Sequence, residues 1–162
     1  MSRNTIIALC ASLALIAGAV IALRSYSTMS SALPQREEFG SRTEAYAAAL
    51  KFATSNGGTI TSVLGTGSMA PYIPAAKPGQ PIEDAVAFVV TDPRRDYATI
   101  RPGDLCLYKP DWFQGRLVLH QAAQFNSDGW VMSGLHNSRS ESEERMTASK
   151  FIGIVVYTSV IK

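Results

Sequence analysis

The sequence predicts a mainly β protein: a small antiparallel sandwich or barrel with one short soluble helix ahead of it and one transmembrane helix at the N-terminus. Three observations carry this expectation. Beyond Gly58 the chain breaks into short β-rich runs separated by loops of Gly, Pro and Asp, the pattern of antiparallel strands joined by turns. Just before them, a segment with helical spacing of apolar residues lies between a capping signal and a glycine stop. At the start, residues 5–23 form an unbroken uncharged run, TIIALCASLALIAGAVIAL, between Arg3 and Arg24.

That run is long enough to cross a bilayer as a helix, which takes roughly 20 apolar residues. A cleaved signal peptide is the competing reading, with SSA at 30–32 as a small-residue cut site, but signal peptides have apolar cores of about 7–15 residues. An uncleaved anchor over 1–24 is therefore expected, with membrane lipid as its partner. A linker over 25–40, rich in Ser, Pro and charge, follows. The β domain with its leading helix takes 41–162. In a chain of 162 residues with a formal charge of +2, this is one modest domain with no basic stripe. Arg94 and Arg95 are flanked by Asp92 and Asp96 and read as a solvated turn, so no nucleic acid is expected.

The helix begins at Ser41, which with Glu44 makes an S-x-x-E capping box. Tyr46, Ala49, Leu50 and Ala53 recur at helical spacing, and Asn56-Gly57-Gly58 supplies a left-handed stop. The strands follow as TITSVL, DAVAFVV, DLCLYK, RLVLHQAAQF, GWVMS and KFIGIVVYTSVI. Cys10 lies in the apolar run and Cys106 in a strand. No disulfide is expected between them, and both read as buried apolar thiols. A zinc site from His120, His136 and Cys106 lacks any short-spaced ligand pair, so neither metal nor cofactor is expected.

The loop after the first of these strands reads GTGSMAP over 65–71. Ser68 is there either a turn serine or a nucleophile, and a nucleophilic serine needs a base from elsewhere in the fold. Two histidines are available. His120 lies inside RLVLHQAAQF on the strand face shared with Val118 and Ala122, opposite Leu117, Leu119 and Ala123. His136 sits in a loop and reads as solvated.

Taken in order, GTGSMAPYI, RPGDLCLYK, RLVLHQAAQF and GWVMSGLHNS with FIGIVVY resemble the type I signal peptidase family and its relatives, over about residues 62–157. The S-M-x-P motif of that family is matched by Ser68, Met69 and Pro71, and its G-D by Gly103 and Asp104. The base position is matched by His120, as in the histidine-base variety. The sequence differs in having Gln121 where an arginine usually follows the base. It also has Leu135 between Gly134 and Asn137, where an aspartate falls in the family's turn.

The resemblance implies a signal-peptidase-type β fold and a membrane-anchored serine endopeptidase that cuts extended peptides or preproteins after small residues, its domain on the extracytoplasmic side. It implies Ser68 as nucleophile and His120 as base. Thr66, together with the Ser68 backbone N–H, is implied as a donor to the oxyanion, though Thr66 also reads as a strand-end residue. Glu141 and Glu143 are the candidates for an acid that orients His120, and the SESEER segment reads equally as a solvated charge run. A histidine base implies activity that falls as pH drops through roughly 6–7. Trp112 and Phe113 in PDWFQG read as core aromatics or as residues dipping into the lipid interface. The same fold would also serve a membrane-tethered domain that binds peptide without cutting it. A self-cleaving repressor-type relative would carry a lysine base and a DNA-binding domain, and neither feature is seen in this sequence.

Overall fold

The computed structural model describes residues 33–113, 115–136 and 145–162. The elements run β1 (Gln35–Phe39), α1 (Arg42–Asn56), β2 (Thr59–Leu64), β3 (Val86–Thr91), β4 (Leu105–Tyr108), β5 (Val118–Asn126), β6 (Gly129–Ser133), β7 (Arg145–Met146) and β8 (Phe151–Ile161). One curled sheet results, in the order β2-β3-β8-β4-β5-β6-β7, with β1 also paired to β8. The fold is mainly β with one helix, as the sequence predicts, and the sheet is antiparallel except at β1, which pairs parallel with β8. Among the described residues no helix is long and apolar enough to cross a membrane. The 5–23 run lies outside them.

Two strands are apolar on both faces because both faces are covered. On β3, Ala87 and Val89 join a core with Leu105, Leu107, Leu119 and Val155, while Val86, Phe88 and Val90 face α1 and Tyr157. On β4, Leu105 and Leu107 enter the first core; Cys106 and Tyr108 enter another with Ala122, Trp130, Met132 and Ile154. The Cys106 thiol is buried and free of disulfide, and burial pushes its pKa up.

The glycine stop of α1 follows the sequence, and of the expected capping box the serine half is seen. The Glu44 N–H donates to Ser41 Oγ at 3.3 Å, and Gly57 adopts φ 70°. Its buried stripe differs from the expected one: Ala45, Ala49 and Ala53 lie on the sheet, whereas Tyr46 and Leu50 are 47% and 46% exposed. Three alanines in register let the helix lie close to β3 and β8, and the larger residues seal its flanks. Tyr46 meets Phe88 edge-on at 5.3 Å and Phe52 stacks on Tyr157 at 4.5 Å.

The segment read as the end of a linker is also structured. β1 is charged because it lies at the sheet's margin, yet its side chains tie distant parts together. Tyr157 Oη donates to Glu37 at 2.9 Å, and Arg36 Nε donates to the Tyr72 carbonyl at 2.6 Å. Arg95, read as solvated, instead grips the buried Asp104 through two hydrogen bonds of 2.6 and 3.1 Å. The Arg101 N–H adds a third at 2.7 Å, which fixes the Gly103-Asp104 turn that starts β4.

The alanine stripe makes a direct prediction for stability. Ala49→Leu should lower the unfolding free energy by about 1–3 kcal/mol through overpacking, whereas Leu50→Ala should change it by less than about 0.5 kcal/mol. Denaturant unfolding of both variants checks the difference.

Candidate active site

The Ser68 loop is shaped by glycine positions that other residues could not fill. Gly65 carries no Cβ because one would collide with the Pro74 carbonyl oxygen, and Gly67 adopts φ 99°, a region that favours glycine. The loop then folds back on itself. The Ala76 N–H donates to Gly65 O at 3.0 Å, Ala70 to Gly67 O at 3.0 Å and Ile73 to Met69 O at 3.0 Å. Met69, Tyr72 and Ile73 are buried beneath it. Tyr72 Oη donates to Thr158 Oγ1 at 3.0 Å, so β1 and β8 together hold the loop in place. Ser68 itself is half-buried at the top of this turn.

His120 reaches the loop from β5. The alternation expected from the sequence holds as far as Ala122, with Leu117 and Leu119 in one core and Val118 and Ala122 in the other, but Ala123 is exposed, because the β5–β6 ladder shifts register between Ala122 and Gln124. His120, on the face of the second group, is only 3% exposed. A buried imidazole must have hydrogen-bond partners, since an unsatisfied polar group there is costly. Its Nε2 stands 3.3 Å from Ser68 Oγ, and its Nδ1 stands 3.3 Å from Tyr108 Oη. Thr66 Oγ1 lies 3.3 Å from Ser68 Oγ. The Ser68 N–H has no acceptor among the described residues. Three of the residues singled out in the sequence, Ser68, His120 and Thr66, are thus brought together.

The others fall elsewhere. Glu141 and Glu143 lie outside the described residues. His136 is exposed, as expected, but its backbone N–H donates to the Ser68 carbonyl at 2.9 Å, so the loop after β6 braces the serine turn. Gln121 Nε2 donates to Gly103 O at 3.1 Å, linking β5 to the turn before β4. Leu135 packs against the first core. Among the described residues no group of three metal-ligating side chains occurs. Trp112 is 56% exposed and stacks on Phe113 at 5.2 Å, which removes it from the core reading. It rides on a single turn, Asp111–Phe113, after β4. Sequence reasoning missed Tyr108. It is opposite Val118 in the β4–β5 register, hence diagonal to His120, a relation visible only once the strand pairing is known.

A cleft of about 200 Å³ adjoins the serine. Val63, Ile73, Leu117 and Leu119 line it with apolar surface, Thr66 and Ser68 add hydroxyls, and Arg116 contributes a guanidinium that sits 5.4 Å above the Phe113 ring. Its size is below the range of about 300–1,000 Å³ usual for drug-sized ligands. β2, which leads into the site, is the terminal strand of the sheet.

No family model, curated protein or solved structure matches this chain. The site is therefore defined by its own geometry: a serine hydroxyl on a glycine-shaped turn, a buried histidine within reach, and an apolar cleft beside them.

The crowding at Gly65 sets a further expectation. Gly65→Ala must shift the loop away from Pro74, and a displacement of about 1 Å at a reacting group can cost about 100-fold in rate. Acylation of Ser68 by a fluorophosphonate reagent should slow by that order, as intact-mass kinetics would record.

Proposed function

We propose that this chain is a membrane-anchored serine endopeptidase resembling signal peptidase I, cutting extended peptides after small residues with Ser68 as nucleophile and His120 as base. The observation that carries the reading is the 3.3 Å approach of His120 Nε2 to Ser68 Oγ beside an apolar cleft. The ordered motifs of the sequence support it as well, from S-M-x-P through G-D to the strand histidine.

The chemistry follows from these residue types. Neutral His120 takes the Ser68 proton on Nε2 as Oγ bonds to the scissile carbonyl carbon, and the carbonyl electron pair moves onto oxygen. That oxyanion needs donors fixed in advance, each worth about 3–4 kcal/mol; the Ser68 N–H and the Thr66 hydroxyl are the groups suited to it. Protonated His120 then gives its proton to the leaving amine as the C–N bond breaks, and water later releases the acyl group by the same route.

Substrate preference follows from the surroundings. The terminal strand β2 offers an edge on which an extended peptide can add by main-chain hydrogen bonds, which places alternate side chains over the cleft beside Val63 and Leu117. The preference for small ones is what the resemblance to signal peptidases implies. The 5–23 run suits a bilayer anchor, and exposed Trp112 suits the lipid interface. An extracytoplasmic β domain acting on preproteins completes this reading.

Two experiments test it. Ser68→Ala and His120→Ala, each shown to be folded, should lower cleavage of a peptide with small residues before its cut site by on the order of 10⁴-fold or more. The double variant should lose little beyond that, because residues acting as a unit are not additive. Cleavage by the wild type should also decline on the acid side, as the imidazole takes up a proton and stops accepting one. Full activity in Ser68→Ala, or binding of the peptide with no cleavage by the wild type, would contradict the assignment. Separately, the full-length chain should stay with membranes through high-salt and alkaline washes; a soluble chain starting near residue 33 would refute the anchor.

A further inference from the structure

We propose that Tyr108 is the positioning residue for His120: its phenolic oxygen accepts the Nδ1 proton of the imidazole and thereby holds Nε2 unprotonated toward Ser68. This assignment rests on the peptidase reading above and adds to the serine and histidine a third member from β4.

The two ring nitrogens of His120 each have an oxygen at the same distance. Ser68 Oγ is 3.3 Å from Nε2 and Tyr108 Oη is 3.3 Å from Nδ1. Tyr108 is fully buried, with its ring centroid 6.2 Å from that of His120 and the planes at 51°. Its place is set by the sheet: Cys106 pairs with His120 and Tyr108 with Val118, so the phenol reaches diagonally along one face, a separation that an aromatic side chain spans. Both residues lie in the β4–β5 ladder, which keeps its register from Leu105 to Tyr108, and this makes it a rigid support.

Proton bookkeeping decides the direction of the bond. A neutral imidazole has one N–H donor and one bare nitrogen, and a phenol can act either way. If Tyr108 donated to Nδ1, the imidazole proton would sit on Nε2 and point at Ser68, and the ring could not take the serine proton. If Tyr108 accepts from Nδ1–H, Nε2 is bare and faces Oγ. Once the Oγ proton has moved to Nε2 and the ring is an imidazolium, both nitrogens donate, and only an accepting Tyr108 remains compatible. The phenol keeps its own proton throughout.

The titratable groups facing His120 among the described residues are few. β4 presents Tyr108 and Cys106, whose thiol is held neutral by burial. The loop presents Ser68. On β6 the residues paired across from this stretch of β5, Ser133 and Met132, carry no charge. Asp104, at the start of β4, is bound to Arg95.

The test is the rate of Ser68 acylation by a fluorophosphonate reagent from about pH 5 to 9, measured on the full chain in detergent for the wild type, Tyr108→Phe and His120→Ala. Tyr108→Phe keeps the ring and loses the oxygen. Its plateau rate should fall about tenfold, the equivalent of one ordinary hydrogen bond. Its acid limb should move to lower pH, since the imidazolium loses an acceptor and holds its proton less tightly. A packing role alone would leave that limb where it is. A folded Tyr108→Phe with wild-type plateau and limb would overturn the assignment while leaving Ser68 and His120 in their roles. If the wild type is not acylated at Ser68 at all, the peptidase reading fails first. Nitrogen-15 NMR of the wild-type histidines then still decides the geometry: the neutral ring of His120 should carry its proton on Nδ1, and a proton on Nε2 would overturn the role given to Tyr108.

Discussion

The change of partner along β8 is the constraint on which the site depends. Its later residues pair with β3 and β1, from Val155 to Ile161, and its earlier ones with β4, from Phe151 to Ile154. The change of partner falls beside Gly153, where a Cβ would stand 2.7 Å from Thr91 Cβ. The ladders shift register on either side of this change, between Val90 and Thr91 opposite Tyr157 and Val155, and between Leu107 and Tyr108 opposite Gly153 and Phe151. Such irregularities increase twist and curl a sheet. β4 carries β5 and therefore His120; β3 carries β2, which runs into the Ser68 loop. The two halves of the site thus hang on opposite ends of one strand.

This explains why so much of the fold is devoted to bracing. Ser68 and His120 are 52 residues apart in sequence, so nothing local holds them at hydrogen-bond distance. The serine turn is instead fixed from several sides: by Arg36 of β1 on the Tyr72 carbonyl, by Tyr72 on Thr158, and by the His136 N–H on the Ser68 carbonyl. On the histidine side, the Arg95–Asp104 pair and Gln121 anchor the turn from which β4 begins. A Ser–His pair gains catalytic value only when its geometry is fixed before substrate arrives, because the entropic cost of alignment is then met by folding.

Much of this was legible in the sequence, for identifiable reasons. The strands announced themselves because β3, β4 and β8 are nearly continuous apolar runs between turn residues, and the helix because Ser41 and Gly57 are strong caps. Ser68 and His120 were singled out by their setting and by the order of motifs. What stayed hidden depended on tertiary pairing. β1 reads as linker because QREEF is charged, and only its parallel partner makes it a strand. The buried stripe of α1 was misplaced because Tyr46 and Leu50 outrank alanine in hydrophobicity, while the close approach to the sheet selects Ala45, Ala49 and Ala53 for size. Arg95 reads as half of a solvated pair until the fold brings Asp104 to it. Tyr108 carries no motif at all, and its relation to His120 exists only in the β4–β5 register.

The central claim is that one serine hydroxyl, activated by one strand histidine, meets a peptide carbonyl beside the cleft of Val63 and Leu117. A crystal structure of the chain bound to a peptide boronate with alanine at the boron-bearing position tests this most directly. The account predicts a tetrahedral boron bonded to Ser68 Oγ, a boronate oxygen within hydrogen-bond distance of the Ser68 N–H or Thr66 Oγ1, and the alanine side chain in the cleft. Boron bonded to another residue, or a peptide lying elsewhere with Ser68 untouched, would contradict it.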